Sequence, residues 1–129
     1  NLIVVGYQPA ERLAEVLATA DIHLVPLRAG LALASVPSKA YSAMAAGRPV
    51  IASVDPGSEV ARMVADAGAG LTVPPDDPDA FTAAVEHLAG DAETRTRMGA
   101  HGRAWVEKCR SAPAVAGVYL DLIERLVDA

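Results

Sequence analysis

The residues that decide the fold run from Leu24 to Ala52, LVPLRAGLALASVPSKAYSAMAAGRPVIA. An apolar strand is followed by a long loop of mostly small residues, a short helix opened by Val36-Pro37-Ser38-Lys39, and a second apolar strand after Gly47-Arg48-Pro49. Strand, helix and strand in that order predict a βαβ unit, and hence parallel strands joined by a right-handed crossover. In open α/β sheets the loop from a strand's carboxyl end to a helix's amino end is where phosphate is held. Unbonded backbone N–H groups and the positive end of the helix dipole converge there. One stretch therefore predicts both an architecture and the place of a ligand.

The same alternation extends outwards. Upstream, Leu2–Val5 is a short β-branched run closed by Gly6, the pattern of a strand covered on both faces. Tyr7-Gln8-Pro9 turns into a helix over about 9–19, with Pro9 in its first turn, Glu11 near the positive dipole end, and Leu13, Val16, Leu17 and Ala20 at helical spacing. Ile22–Leu27 is the second strand and Val50–Val54 the third, which ends at the turn Asp55-Pro56-Gly57. Ser58 is placed to cap a helix bearing Val60, Met63 and Val64 on one face, and Gly68-Ala69-Gly70 stops it. Leu71–Val73 is a short fourth strand. Helices then follow over about 78–89, 91–108 and 114–127, the last with Val115, Val118, Tyr119, Leu122, Ile123 and Leu126 on one face. The expected fold is α/β, a doubly wound parallel sheet of Rossmann-like type.

Composition supports a single domain: 129 residues, 52% hydrophobic and 21% charged. A net charge of −5 argues against a nucleic-acid binder, because backbone affinity is built from clustered Lys and Arg. No apolar run approaches the roughly 20 residues that span a bilayer, and no basic-then-apolar leader opens the chain. The expectation is a soluble, cytoplasmic protein. A single cysteine, Cys109, excludes an internal disulfide. The chain starts at Asn1 directly on an apolar run that looks like sheet interior, so a fragment of a longer protein is expected.

Ser38 and Lys39 are the sharpest chemical pair. A hydroxyl at a helix start caps or donates to a phosphate oxygen, and an ammonium beside the same amides adds a point charge. An N-cap serine with a solvated lysine is the alternative. Arg28, just beyond the second strand, is a candidate anion contact or a surface residue. Glu59 follows the next strand's turn and is either a partner for ligand hydroxyls or a helix-start glutamate favoured by the dipole. Tyr7 and Gln8 sit where a flat base could lie, or pack on their own helix. His23, His87 and His101 match no metal-ligand spacing, and there is no nucleophile elbow or Walker loop.

Taken together, Tyr7-Gln8-Pro9, Ala20-Asp21-Ile22-His23-Leu24-Val25-Pro26, Val36-Pro37-Ser38-Lys39, Ala45-Ala46-Gly47-Arg48-Pro49-Val50-Ile51-Ala52, Gly57-Ser58-Glu59 and Gly68-Ala69-Gly70-Leu71 carry a resemblance. Their order and spacing resemble the carboxyl-terminal half of a family 4, GT-B fold glycosyltransferase. Similarity is greatest to the branch that builds colanic-acid-like and other surface polysaccharides. Arg95, Met98-Gly99, Gly102-Arg103 and a final amphipathic helix extend it.

The resemblance implies that residues 1–129 are a truncated donor-binding domain, lacking its first strand and an amino-terminal acceptor domain. The parent would be a retaining, metal-independent transferase of hexosyltransferase type, using a UDP- or GDP-sugar and no cofactor, in surface polysaccharide or glycoconjugate synthesis. A parent peripheral at the membrane fits the same picture. The donor diphosphate is expected on Val36, Pro37, Ser38, Lys39 and Ala40, the base and ribose near Tyr7, Gln8 and Ser42, and sugar-side or anion contacts at Arg28 and Glu59. Many members carry two glutamates eight positions apart around this helix; Ala34 and Ser42 hold those places here. No catalytic residue is assigned within this stretch, and the isolated chain is expected to be inactive. The alternatives are a non-catalytic α/β regulatory or binding module and a GT-B sugar-nucleotide epimerase or hydrolase domain.

Overall fold

A computed structural model describes residues 2–31, 38–109 and 111–127. After Pro9, a single 3-10 turn, Ala10–Arg12, leads into α1 (Leu13–Ala18). The alternation continues as β1 (His23–Pro26), α2 (Ser38–Ala45), β2 (Val50–Ser53), α3 (Glu59–Ala67) and β3 (Gly70–Val73). Three helices close the chain: α4 (Pro78–Gly90), α5 (Ala92–Cys109) and α6 (Ala112–Val127). The strands form one parallel sheet in the order β1-β2-β3, with His23 opposite Val50 and Val50 opposite Gly70.

β2 is the central strand, and all four of its residues are buried. Because strand side chains alternate between faces, Val50 and Ala52 join Val25 of β1, Ala40, Ala43 and Met44 of α2, and Val60, Met63 and Val64 of α3. Ile51 points the other way, to Val73 of β3 and to Ala84 and Leu88 of α4. Helices thus cover both faces of the sheet, as the doubly wound expectation requires.

Local signals in the sequence set the helix ends. The Ser58 side chain accepts the Ala61 amide at 3.1 Å and starts α3, and Gly68, in the left-handed region at φ 57°, ends it. Asp77 accepts the Ala80 amide at 2.9 Å, ahead of Pro78 in the first turn of α4. Asp91 follows α4 directly and accepts the Thr94 amide at 2.9 Å at the start of α5. That backbone hydrogen bond from Thr94, helped by one from its side chain, holds the Asp91 carboxyl below the usual carboxylate range. α5 then packs hard against the α2–β2 turn: a Cβ on Gly99 would lie 2.1 Å from the Gly47 carbonyl oxygen.

Two expectations change. Leu2–Val5 forms no strand: residues 2–9 carry no regular structure, and the four apolar side chains are 70–88% exposed. Apolar composition creates a demand for cover, but a strand exists only where a neighbour supplies a hydrogen-bonded ladder, and among the described residues none does. α6 forms as its periodicity predicts, yet none of its described residues is buried.

Candidate functional site

The amino end of α2 carries Ser38 and Lys39, both exposed, with Ser42 one turn further on donating to the Ser38 carbonyl at 3.2 Å. Among the described residues Lys39 has no ion-pair partner. Ala40 is fully buried and anchors this first turn in the core, so the two polar side chains face outwards from a fixed base. Val36, Pro37 and Ala34 lie outside the described residues.

Ser38, Lys39 and Ser42 line a cavity of about 320 Å3 together with His23, Leu24 and Val25 of β1 and Leu13 and Leu17 of α1. His23 Nε2 lies 2.9 Å from the Leu17 carbonyl, to which it donates, so this histidine is spent on joining β1 to α1. Arg48, in the turn before β2, ties the same helix down by donating to the Ala18 carbonyl. α1, otherwise almost unpacked, is thereby held against the strand.

Leu13 also lines a second cavity of about 650 Å3, together with Tyr7, Gln8, Pro9, Arg12 and Val16. Tyr7 is 97% exposed. Gln8 donates to the Gly6 carbonyl at 3.1 Å and accepts from Arg12 at 3.4 Å, and Arg12 pairs with Glu15 at 3.0 Å. The two cavities share Leu13, so the one lined by the Tyr7–Gln8 turn neighbours the one at the start of α2.

Arg28 lies elsewhere. It borders an open crevice of about 710 Å3 between β1 and the start of α4, lined also by Pro26, Ser53, Asp76, Asp77 and Phe81. Asp76 there holds φ 58°, a left-handed conformation that Asp tolerates better than most side chains. Glu59 is outside all three cavities. Its carboxylate pairs with Arg62 at 3.1 Å on the first turn of α3, and Arg62 also donates to the Gly57 carbonyl at 3.0 Å. Of the residues singled out in the sequence, Ser38, Lys39 and Ser42 are brought together, Tyr7 and Gln8 adjoin them, and Arg28 and Glu59 stand apart.

In the sequence Asp55 stands in the turn after the third strand, with nothing local to show what its carboxylate meets. Its two carboxylate oxygens accept the Gly30 amide at 3.0 and 3.2 Å, linking the loops that leave β1 and β2. A contact between residues 25 apart leaves no local pattern to find it by.

Among the described residues no helix is long and apolar enough to cross a membrane.

Comparison with known proteins places these features in context. The family model described as "Glycosyl transferases group 1" matches residues 1–91. The chain is 39% identical over 72 residues to the probable glycosyltransferase WbjE of Pseudomonas aeruginosa, covering 56% of this chain and 18% of that protein. Its structure is similar to that of sucrose-phosphate synthase from Thermosynechococcus elongatus. The TM-score is 0.77 and the identity 29%, over 96% of this chain and 30% of the other. The chain therefore spans less than a third of either relative.

Proposed function

The chain belongs to the group 1 glycosyl transferases, and from that premise we propose that it is the donor-binding part of an enzyme that moves a sugar from a nucleoside diphosphate to an acceptor hydroxyl. The observation that carries this reading is the exposed amino end of α2, where Ser38, Lys39 and Ser42 open on a cavity that adjoins the Tyr7–Gln8 turn. The diphosphate lies over this helix start, on residues 36–40. The base and ribose reach towards Tyr7, Gln8 and Ser42.

In the reaction the bond from the sugar's anomeric carbon to the β-phosphate oxygen breaks, and its electron pair leaves with the nucleoside diphosphate. A bond to the acceptor oxygen forms as that hydroxyl passes its proton to an oxygen of the departing diphosphate. Negative charge grows on the departing diphosphate, where the Lys39 ammonium and the α2 amides stabilise it most. Transfer is proposed to be metal-independent and to retain the anomeric configuration. Arg28 and Glu59 are assigned as outer, sugar-side or anion contacts, Arg28 from the neighbouring crevice.

Residues 1–129 are proposed as a partial donor domain. The exposed Leu2–Val5 run supports further strands of the same sheet, and the small share of each relative that is matched supports a separate acceptor domain. Its setting is the cytoplasm and its product a surface polysaccharide or glycoconjugate.

The test is turnover by the full-length parent with a panel of UDP- and GDP-sugars, read as release of nucleoside diphosphate. One donor is expected to be consumed, and Lys39→Ala to lower its kcat/KM by about 100-fold, a typical loss for one charge-stabilising donor. If no sugar nucleotide in the panel is consumed, the chain is not a donor domain.

A further inference from the structure

We propose that Asp55 is a positioning residue for the donor site: from the loop after β2, its carboxylate holds the Gly30 amide and so fixes the turn that carries Arg28. The inference rests on the donor-site reading above. Parallel pairing of β1 with β2 runs out at Leu27, whose amide donates to the Ser53 carbonyl at 2.8 Å. Beyond that point the loop after β1 has no strand to follow. The chain reverses through Arg28-Ala29-Gly30-Leu31, closed by the Leu31 amide donating to the Arg28 carbonyl at 3.3 Å. Gly30 has φ 80°, which a glycine adopts without steric cost. Its amide points at Asp55, 3.0 Å from Oδ2 and 3.2 Å from Oδ1.

Asp55 is itself well founded. The Val54 amide before it donates to the Val73 carbonyl at 3.1 Å, so the chain enters the turn from the sheet. The Ser58 amide donates to the Asp55 carbonyl at 3.1 Å, and Ser58 caps α3. Position is thus transmitted from the buried centre of the sheet, through Asp55, to the Gly30 turn, and from there to Arg28 at the rim of the 710 Å3 crevice. The hydrogen bond is exposed to solvent, so its weight in overall stability is small. What it changes is where the turn that carries Arg28 sits.

An acceptor oxygen is what the role needs, and the charge is dispensable. Asp55→Asn keeps an oxygen of the same reach, whereas Asp55→Ala removes it. In the full-length protein Asp55→Ala is expected to raise the donor KM about fivefold with kcat changed less than about twofold. Tm should stay within about 2 °C, and Asp55→Asn should restore KM to within about twofold. Arg28→Ala should reproduce the KM effect, and the double variant Asp55→Ala/Arg28→Ala should be about as impaired as either single, because Asp55 is proposed to act on the donor through Arg28.

An unchanged KM in Asp55→Ala, while Lys39→Ala still weakens donor use, overturns the positioning role and leaves the donor site standing. Additive effects in the double variant, failure of Asp55→Asn to restore KM, or a Tm drop of about 10 °C overturn it too. Loss of effect in Lys39→Ala as well would remove the donor site, and the positioning role with it.

Discussion

Leu2-Ile3-Val4-Val5 and Val50-Ile51-Ala52-Ser53 are close in composition and opposite in structure. The second is the central strand, paired on both edges and covered on both faces, with Val50, Ile51 and Ala52 wholly buried. The first has no ladder and stands largely in solvent. The pair shows that an apolar run records a need for cover, whereas cover depends on what the rest of the chain brings alongside. β2 acquires its neighbours because α2 and α3 return the chain parallel to it on either side. Nothing among the described residues does this for Leu2–Val5.

Substitutions can widen or close that contrast. The largest effect is expected at Gly70, where a Cβ would lie 1.8 Å from the Val50 carbonyl oxygen and force β3 away from β2. Gly70→Ala should cost at least about 3 kcal/mol, seen as a lower urea midpoint or as failure to accumulate folded protein. Ile51→Ala should cost about 2–5 kcal/mol in the same assay, since Ile51 is packed between Val73 and Leu88. Ile3→Ala should shift stability by no more than about 0.5 kcal/mol. If Ile3 proved as costly as Ile51, the amino-terminal run would be buried and the contrast false.

An effect smaller than at Gly70 or Ile51 is expected at the caps. Ser58→Ala removes the acceptor for the Ala61 amide at the start of α3 and should cost about 1 kcal/mol. The smallest is a pH effect at Asp91. Its folded-state pKa is lowered, so its contribution is fully present above the usual carboxylate range and is lost as pH falls through and below that range. Asp91→Ala should therefore lower Tm slightly at neutral pH and flatten the acid side of the Tm–pH profile. An unchanged profile would remove the Thr94 amide as the cause.

Much of the fold was legible. Alternating strands and helices gave the parallel sheet, and Ser58 and Gly68 marked the ends of α3, because caps and turns are decided by residues a few positions apart. α6 was legible as a helix but its exposure was not, since periodicity says which face is apolar and nothing about what meets it. At the candidate site, Ser38 and Lys39 were legible from their place at a helix start, whereas Ser42, on the same helix, was marked only by the family resemblance. Arg28 and Lys39 flank the same loop in sequence, yet they border different cavities, because β1 separates the crevice on the α4 side from the one beside α1. The Asp55–Gly30 link was invisible for the same reason that β2 needs its neighbours: it joins two loops only once the sheet has aligned them.

The central claim is that the amino end of α2 holds a nucleoside diphosphate. Calorimetric titration of the full-length protein with UDP and with GDP, repeated on Lys39→Ala and on the control Arg97→Ala, tests it most directly. Lys39→Ala should weaken binding of the preferred diphosphate by about tenfold, the size of one charge-assisted contact. Arg97→Ala, altered near the start of α5 beside the carboxyl end of α2, should bind as the unmodified protein does. Equal affinity in all three proteins would contradict the account.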